Sequence, residues 1–245
     1  MGIETRPLAG QVVAITGASA GIGEACARAL HEKGALLALG ARRDKRLREL
    51  VEEFGADRAV GVVTDVRKPS ECNDLIKAAV EKFGRLDSVI PNAGTGFYAG
   101  ICEYDDEAVA DVIDTNYAGT VWTIRAAVPQ FRKQGDGGDI VIVASVAGFR
   151  GGGNEAVYTG TKHAQVGLAG SLDRELRGEG IRVTLICPAA VETEYALGRG
   201  RTAGDSQMAN YLRADDVAHA VVTVLEQPRR VRTTVWQLWS IHEPS

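Results

Sequence analysis

Gln11–Leu30 reads QVVAITGASAGIGEACARAL. Val12–Thr16 is a short apolar, β-branched run, the composition of a strand buried on both faces. From Ile22 the pattern becomes helical, with Ile22, Ala25, Cys26, Ala29 and Leu30 on one face. Between the two runs lie Gly17, Gly21 and Gly23. Gly17 permits a tight turn, and the other two let the backbone approach a bound group closely. A helix starting there offers free N–H groups and a partial positive charge to an anion. Strand, glycine turn and helix together predict a pyrophosphate cradle lined by Gly17, Ser19, Ala20, Gly21 and Ile22; the plain alternative is a tight strand–helix turn.

Outward from this unit, apolar runs alternate with helical patterns. Leu36–Ala41, Ala59–Val63, Ser88–Pro91, Asp139–Ser145, Ile181–Cys187 and Val235–Ile241 read as strands. Helical patterns occupy the intervals, among them a long one, straight or bent, from Asp105 to Lys133 and another from Val157 to Gly178. Unbroken apolar strands separated by helices predict an α/β fold: a single-domain, Rossmann-like, doubly wound parallel sheet of about seven strands flanked by helices. No repeat or linker divides residues 1–245. Residues 194–213 break the rhythm with Gly198, Gly200 and Gly204 among polar residues, as expected of a substrate-covering lid.

Composition narrows the function classes. A net charge of −4 disfavours a nucleic-acid backbone as the main partner. No apolar run suits a signal peptide or a membrane span, so a cytoplasmic protein is expected. Cys26, Cys72, Cys102 and Cys187 form no paired motif and no metal-ligand spacing, which predicts reduced thiols and no metal.

The ends of the second and third strands choose the dinucleotide. NAD binders place Asp or Glu about 20 residues after the glycines, to hold the ribose 2′-hydroxyl. Ala41 stands there, followed by Arg42 and Arg43. A guanidinium suits a 2′-phosphate, which a carboxylate would repel. NADP (NADPH) is therefore the expected cofactor, the alternative being two solvated arginines at a helix start. Asp65 either accepts from the adenine amino group or caps a helix; Val66 follows it in the cofactor wall. Asn92-Ala93-Gly94, after the fourth strand, lets cofactor pass close to the backbone.

Tyr158 and Lys162 lie four residues apart on a helix and so share a face. A free tyrosine has a pKa near ~10, and a neighbouring ammonium lowers it, making the pair a general acid–base. Ser145 ends a strand thirteen positions before Tyr158, where the crevice of a parallel sheet opens. Its hydroxyl could hold a carbonyl oxygen beside the phenol; the alternative is a capping or turn serine. Asn116, an amide inside a helical pattern, is expected to hold a bound water.

Thr16-Gly-Ala-Ser-Ala-Gly-Ile-Gly23, Asn92-Ala-Gly, Asn116, Ser145 and Tyr158-x-x-x-Lys162, in this order, resemble the short-chain dehydrogenase/reductase family, in its one-domain subgroup. The resemblance spans about Leu8 to the C-terminus. It implies that Tyr158 donates a proton during carbonyl reduction, Lys162 lowers its pKa and holds the nicotinamide ribose, Ser145 polarises the carbonyl, and Asn116 anchors a relay water. It implies nicotinamide contacts from Pro188, Val191 and Thr193. Two positions depart from the family: Ala189 replaces a glycine and Pro91 an asparagine. Ala20 replaces a basic residue common in NADP users, which leaves Arg42 and Arg43 to carry the preference. Arg213-Ala-Asp-Asp-Val-Ala-His-Ala-Val221 and the last strand are similar to the clavulanate-dehydrogenase and 3-hydroxy-acid-dehydrogenase branch.

The expected function is thus an NADPH-dependent oxidoreductase acting between carbonyl and alcohol on a small molecule, in a homotetramer or dimer joined through the long helices. A non-catalytic dinucleotide sensor on the same fold would not need the Asn/Ser/Tyr/Lys set. A reductase of carrier-protein-bound 3-oxoacyl chains would need a basic docking patch, for which Arg199, Arg201 and Arg213 are candidates. Thr95, Phe97, Tyr98, Val146, Phe149, Glu194, Tyr195 and Leu197 are expected near the substrate, with Arg150 as a possible carboxylate ligand.

Overall fold

In chain order the elements are β1 (Val12–Thr16), α1 (Gly21–Glu32), β2 (Leu36–Ala41), α2 (Asp44–Phe54), β3 (Ala59–Val63), α3 (Pro69–Phe83) and β4 (Ser88–Ile90). Then follow α4 (Asp106–Ile113), α5 (Gly119–Gln134), β5 (Gly138–Val143), α6 (Ala156–Leu176), β6 (Ile181–Pro188), β7 (Val191–Glu192), β8 (Leu212–Arg213), α7 (Ala214–Glu226) and β9 (Val235–Leu238). The structure is a computed structural model and describes residues 4–243.

Seven strands form one sheet in the order β3-β2-β1-β4-β5-β6-β9, every pair parallel. The chain winds outward from β1 to one edge and then from β4 to the other. The order therefore reverses between β1 and β4, where such sheets open a crevice at their carboxyl ends. Helices cover both faces. Val13, Ile15, Leu37 and Leu39 belong to the core under α1 and α7, while Val12, Ala14, Ile140 and Ile142 belong to the core under α3, α5 and α6. This two-sided burial explains why β1, β4, β5 and β6 read as continuous apolar runs, while the edge strands β3 and β9 keep exposed positions. Cys26, Cys72 and Cys187 are buried and Cys102 exposed, all as free thiols.

Two departures from the sequence reading are instructive. β4 stops at Ile90, because Pro91 cannot donate to the ladder. The Pro91 carbonyl still accepts from Val143 N at 3.0 Å, so β5 stays attached. The helix expected from Asp105 to Lys133 is interrupted by a π-turn at Asp114–Ala118, in which Gly119 N donates to Asp114 O, five residues back. Asp105 caps α4 through its side chain, which accepts from Ala108 N.

Candidate active site

The glycine turn is shaped by clearance as well as conformation. Gly17 and Gly21 have φ of +68° and +54°, the left-handed region that other residues avoid. A Cβ on Gly17 would meet Ala93 Cα at 2.9 Å, and one on Gly23 would run into the Gly17 carbonyl and the Asn92 amide. Thr16 Oγ1 accepts from Asn92 N at 3.1 Å and Ala93 N at 3.2 Å, while Asn92 Nδ2 donates to Thr16 O at 2.9 Å. These bonds tie the ends of β1 and β4 together under the turn. At the start of α1, Ala20 is extended and no side chain caps the helix, so its first N–H groups are left for another acceptor.

A cavity of about 690 Å³ runs over these ends. Gly17, Ser19, Ala20, Gly21, Ile22, Arg42, Arg43, Asp65, Val66, Asn92, Ala93, Gly94, Ser145, Tyr158, Lys162, Pro188, Val191 and Thr193 all line it. Asn116 does not reach its wall; it stands behind Thr95.

Arg42 and Arg43 differ. Arg42 is exposed and has no carboxylate within 4 Å among the described residues. Arg43 Nε donates to Ser19 Oγ at 3.1 Å and its Nη1 to Glu194 Oε2 at 2.9 Å. Arg46, one turn along α2 and not anticipated from the sequence, holds Glu194 through Nη1 and Nη2, both at 2.9 Å. The two guanidinium groups hold the Glu194 carboxyl down to about 2. Asp65 is engaged by Arg67, which donates to both carboxylate oxygens and holds the group below the ordinary carboxylate range. Its Oδ1 also accepts from Arg67 N, two residues on, so Asp65 makes a local turn and does not cap α3.

Ser145 leaves β5 and starts a short 3₁₀ turn, Val146–Gly148. Its Oγ accepts from Ala147 N at 3.1 Å and donates to Pro188 O at 3.3 Å. Ser145 thus caps this turn and also lines the cavity. Lys162 Nζ donates to Val143 O at 3.3 Å and lies 5.6 Å from the centroid of the Tyr158 ring. Tyr98 and Tyr195 pack on Tyr158 with centroids 5.7 and 6.2 Å away.

The electrostatics correct one expectation. Burial raises the Tyr158 phenol above its ordinary value, outweighing the Ser145 and Tyr195 hydroxyls and the Arg201 charge that favour phenolate. Burial also brings the Lys162 ammonium down to about 8. Both charged forms lose water at once, so proximity to the lysine does not by itself produce an acidic phenol.

Asn116 is held by protein groups at its amide and at its carbonyl. Its Oδ1 accepts from Thr95 N at 2.8 Å, and its Nδ2 donates to Thr95 O at 2.9 Å and Thr161 Oγ1 at 3.1 Å. Its carbonyl accepts from Thr120 Oγ1 at 2.7 Å and Gln165 Nε2 at 2.8 Å. Protein groups thus supply two side-chain donors to the Asn116 carbonyl and one backbone donor to its Oδ1. Asn116 braces the Thr95 loop against α6. Gln165 went unrecognised in the sequence; the available signal was a polar residue among the inward positions of α6, three after Lys162.

Arg150 is paired with Glu155 at 2.9 Å, and Arg199 with Asp111 at 2.8 Å. Both lose the free charge that the sequence reading gave them. Among the described residues, no group of three His, Cys, Asp or Glu is placed to hold a metal, and no helix is long and apolar enough to cross a membrane.

Comparison with known proteins agrees with this geometry. The sequence profile described as short chain dehydrogenase matches residues 11–202. An uncharacterized oxidoreductase of Staphylococcus epidermidis is 37% identical over 221 residues, covering 90% of this chain and 93% of that protein. An alcohol dehydrogenase from the archaeon Thermococcus sibiricus, complexed with 5-hydroxy-NADP, superposes with a TM-score of 0.87 at 31% identity, covering 96% of this chain and 98% of that one. The 3-ketoacyl-(acyl-carrier-protein) reductase of Brucella melitensis, complexed with NADH, also reaches a TM-score of 0.87, at 28% identity over 96% of this chain and 99% of that one. With its glycine turn, doubly wound sheet and Ser/Tyr/Lys-lined cavity, the chain belongs to the short-chain dehydrogenase family of oxidoreductases.

Proposed function

We propose that this oxidoreductase uses NADP to interconvert a carbonyl compound and its alcohol, with Tyr158 moving the proton. The observation that carries the reading is that Ser145, Tyr158 and Lys162 line one cavity with the glycine turn and Arg42. The residues fit a phosphorylated dinucleotide. The uncapped α1 terminus, with Gly17 and Gly21 in the cavity wall beside it, suits a pyrophosphate, and Arg42, with no acidic partner, suits a 2′-phosphate. Asp65 and Val66 would face the adenine, Asn92 to Gly94 the ribose, and Pro188, Val191 and Thr193 the nicotinamide amide.

When bound, the cofactor supplies or accepts a hydride at the reacting carbon. The chain's own residues handle the oxygen. The Ser145 hydroxyl, exchanging its long bond to Pro188 O, donates to the carbonyl oxygen and polarises it. Tyr158 Oη gives up its proton as that oxygen becomes a hydroxyl. The raised phenol carries its proton at neutral pH, the form that reduction consumes, but is a weaker acid than a free tyrosine. Lys162 would hold the ribose and stabilise the phenolate. Residues 194–213 would cover the substrate, fastened by Glu194 to α2 and by the β7–β8 pair. Gly160 and Gly167 open onto free space on α6, the helix by which a cytoplasmic dimer or tetramer would pair.

The test is cofactor oxidation with aldehydes, ketones, diketones and keto acids, using NADPH and NADH in parallel. Turnover with a preference for NADPH is expected, and Arg42→Ala should narrow that preference by about tenfold, the value of one charge-assisted contact. Absence of turnover in protein that binds the dinucleotide would overturn the enzymatic reading, and an NADH preference would overturn the role of Arg42.

A further inference from the structure

Arg150 and Arg201 line the cavity and Arg199 bonds its wall at Thr95, and two of the three are neutralised. Arg150 is held by Glu155, and Arg199 by Asp111 and Thr95 Oγ1. Arg201 has no carboxylate within 4 Å among the described residues; its one side-chain hydrogen bond is from Nη1 to Val191 O at 3.1 Å. Its guanidinium carbon instead lies 5.9, 5.6 and 5.6 Å from the ring centroids of Tyr98, Tyr195 and Tyr211. The three ring faces stabilise a cation but accept none of its N–H bonds in the plane of the fork. The guanidinium therefore faces the cavity with its donors largely unspent.

Its position relative to the chemistry is set by the same rings. Tyr98 and Tyr195 pack on Tyr158 and on Arg201 alike, so the phenol and the guanidinium share two walls of one space. The Tyr195 hydroxyl, buried beside the Tyr158 phenol, lies on the same wall. A cation with free, coplanar donors behind an aromatic wall suits a planar anion, and a carboxylate matches the fork in two parallel bonds. The Tyr158 ring and the guanidinium carbon each lie within 6.2 Å of the same two ring centroids, so a substrate that meets both groups is small.

We propose that the substrate is a short oxo acid, or the corresponding hydroxy acid, whose carboxylate binds Arg201 while its carbonyl or hydroxyl meets Tyr158 and Ser145. This rests on the reading of Tyr158 as the proton donor, and it assigns to Arg201 the role that the sequence suggested for Arg150.

The test compares short 3-oxo and 3-hydroxy acids with their methyl esters, as binding to the NADP⁺-loaded protein measured by calorimetry and as kcat/KM. The acids should bind at least about tenfold more tightly than the esters, the scale of a charge-assisted bidentate contact. Arg201→Met should erase that difference by weakening the acids, with Arg201→Lys intermediate, and should leave the dissociation constant for NADPH within about twofold. Equal binding of acid and ester by the unaltered protein would overturn the proposal without any variant. Equal loss of acid and NADPH affinity in Arg201→Met would also overturn it, assigning the residue to the cofactor. Selective acid binding with no turnover of acid or ester would leave the anion site standing and count against the oxidoreductase reading alone.

Discussion

The two ends of the central sheet treat buried charge in opposite ways. At the amino end, Asp139 is 2% exposed and its carboxylate is met by Arg6, Arg182 and Arg229. Arg182 Nη1 also donates to the carbonyls of Gln227, Pro228 and Val231. Nearby, Asp87 is clasped by Arg85 and accepts from Val12 N. These bonds join the N-terminal segment, β1, β5, β6 and the segment after α7. At the carboxyl end, Lys162 has one long bond to a carbonyl, Arg201 has no acid, and the Tyr158 and Ser145 hydroxyls line the cavity. Saturated carboxylates hold the strands together; groups left short of partners are available to a ligand.

The comparison is broken or sharpened by three measurements. Tyr158→Phe should lower kcat by about a thousandfold, within the range for losing a general acid, while the thermal unfolding midpoint stays nearly unchanged. Near-normal turnover would mean that the proton comes from elsewhere. Asp139→Ala, at the other end, should cost about 3–5 kcal/mol in chemical denaturation, because three guanidinium groups lose their shared carboxylate. A change confined to kcat would show that the two ends are not divided as described.

The smallest effect is a pH dependence. In the folded chain the Lys162 pKa falls to about 8, below the lysine value of the unfolded chain. Between those values the unfolded chain binds more protons, so Lys162 makes stability rise with pH across that window. kcat/KM for reduction should fall as pH rises through about 8, where Lys162 loses its charge, with the phenol still protonated. Lys162→Met should remove that inflection; its persistence would assign it to another group.

The legible parts of the sequence were those whose physics is local. The β1–turn–α1 unit depends on glycine conformation and helix-end charge over a dozen residues, and both lie in consecutive positions. The relation of Tyr158 to Lys162 follows from helix spacing, and that of Ser145 from its place at a strand end. The π-turn could not be seen, because one extra residue leaves the apolar pattern on either side intact. Nor could the partners of Glu194, since Arg43 and Arg46 are about 150 positions away in the chain. The aromatic wall around Arg201 joins residues 98, 195 and 211, and no periodicity links them. The phenol pKa was misjudged because a sequence shows a neighbouring charge but not the water that folding removes.

The π-turn has a consequence for inheritance. Within it the Asn116 carbonyl accepts from the Thr120 hydroxyl and from the amide of Gln165, which donates to both the carbonyl and the Thr120 hydroxyl. An apolar residue at 165 would take one of two side-chain donors from that carbonyl and the Gln165 donor from the Thr120 hydroxyl, both in the interior. Positions 116, 120 and 165 therefore constitute one heritable unit, expected to vary together across descendants of this chain even though 45 residues separate the last two.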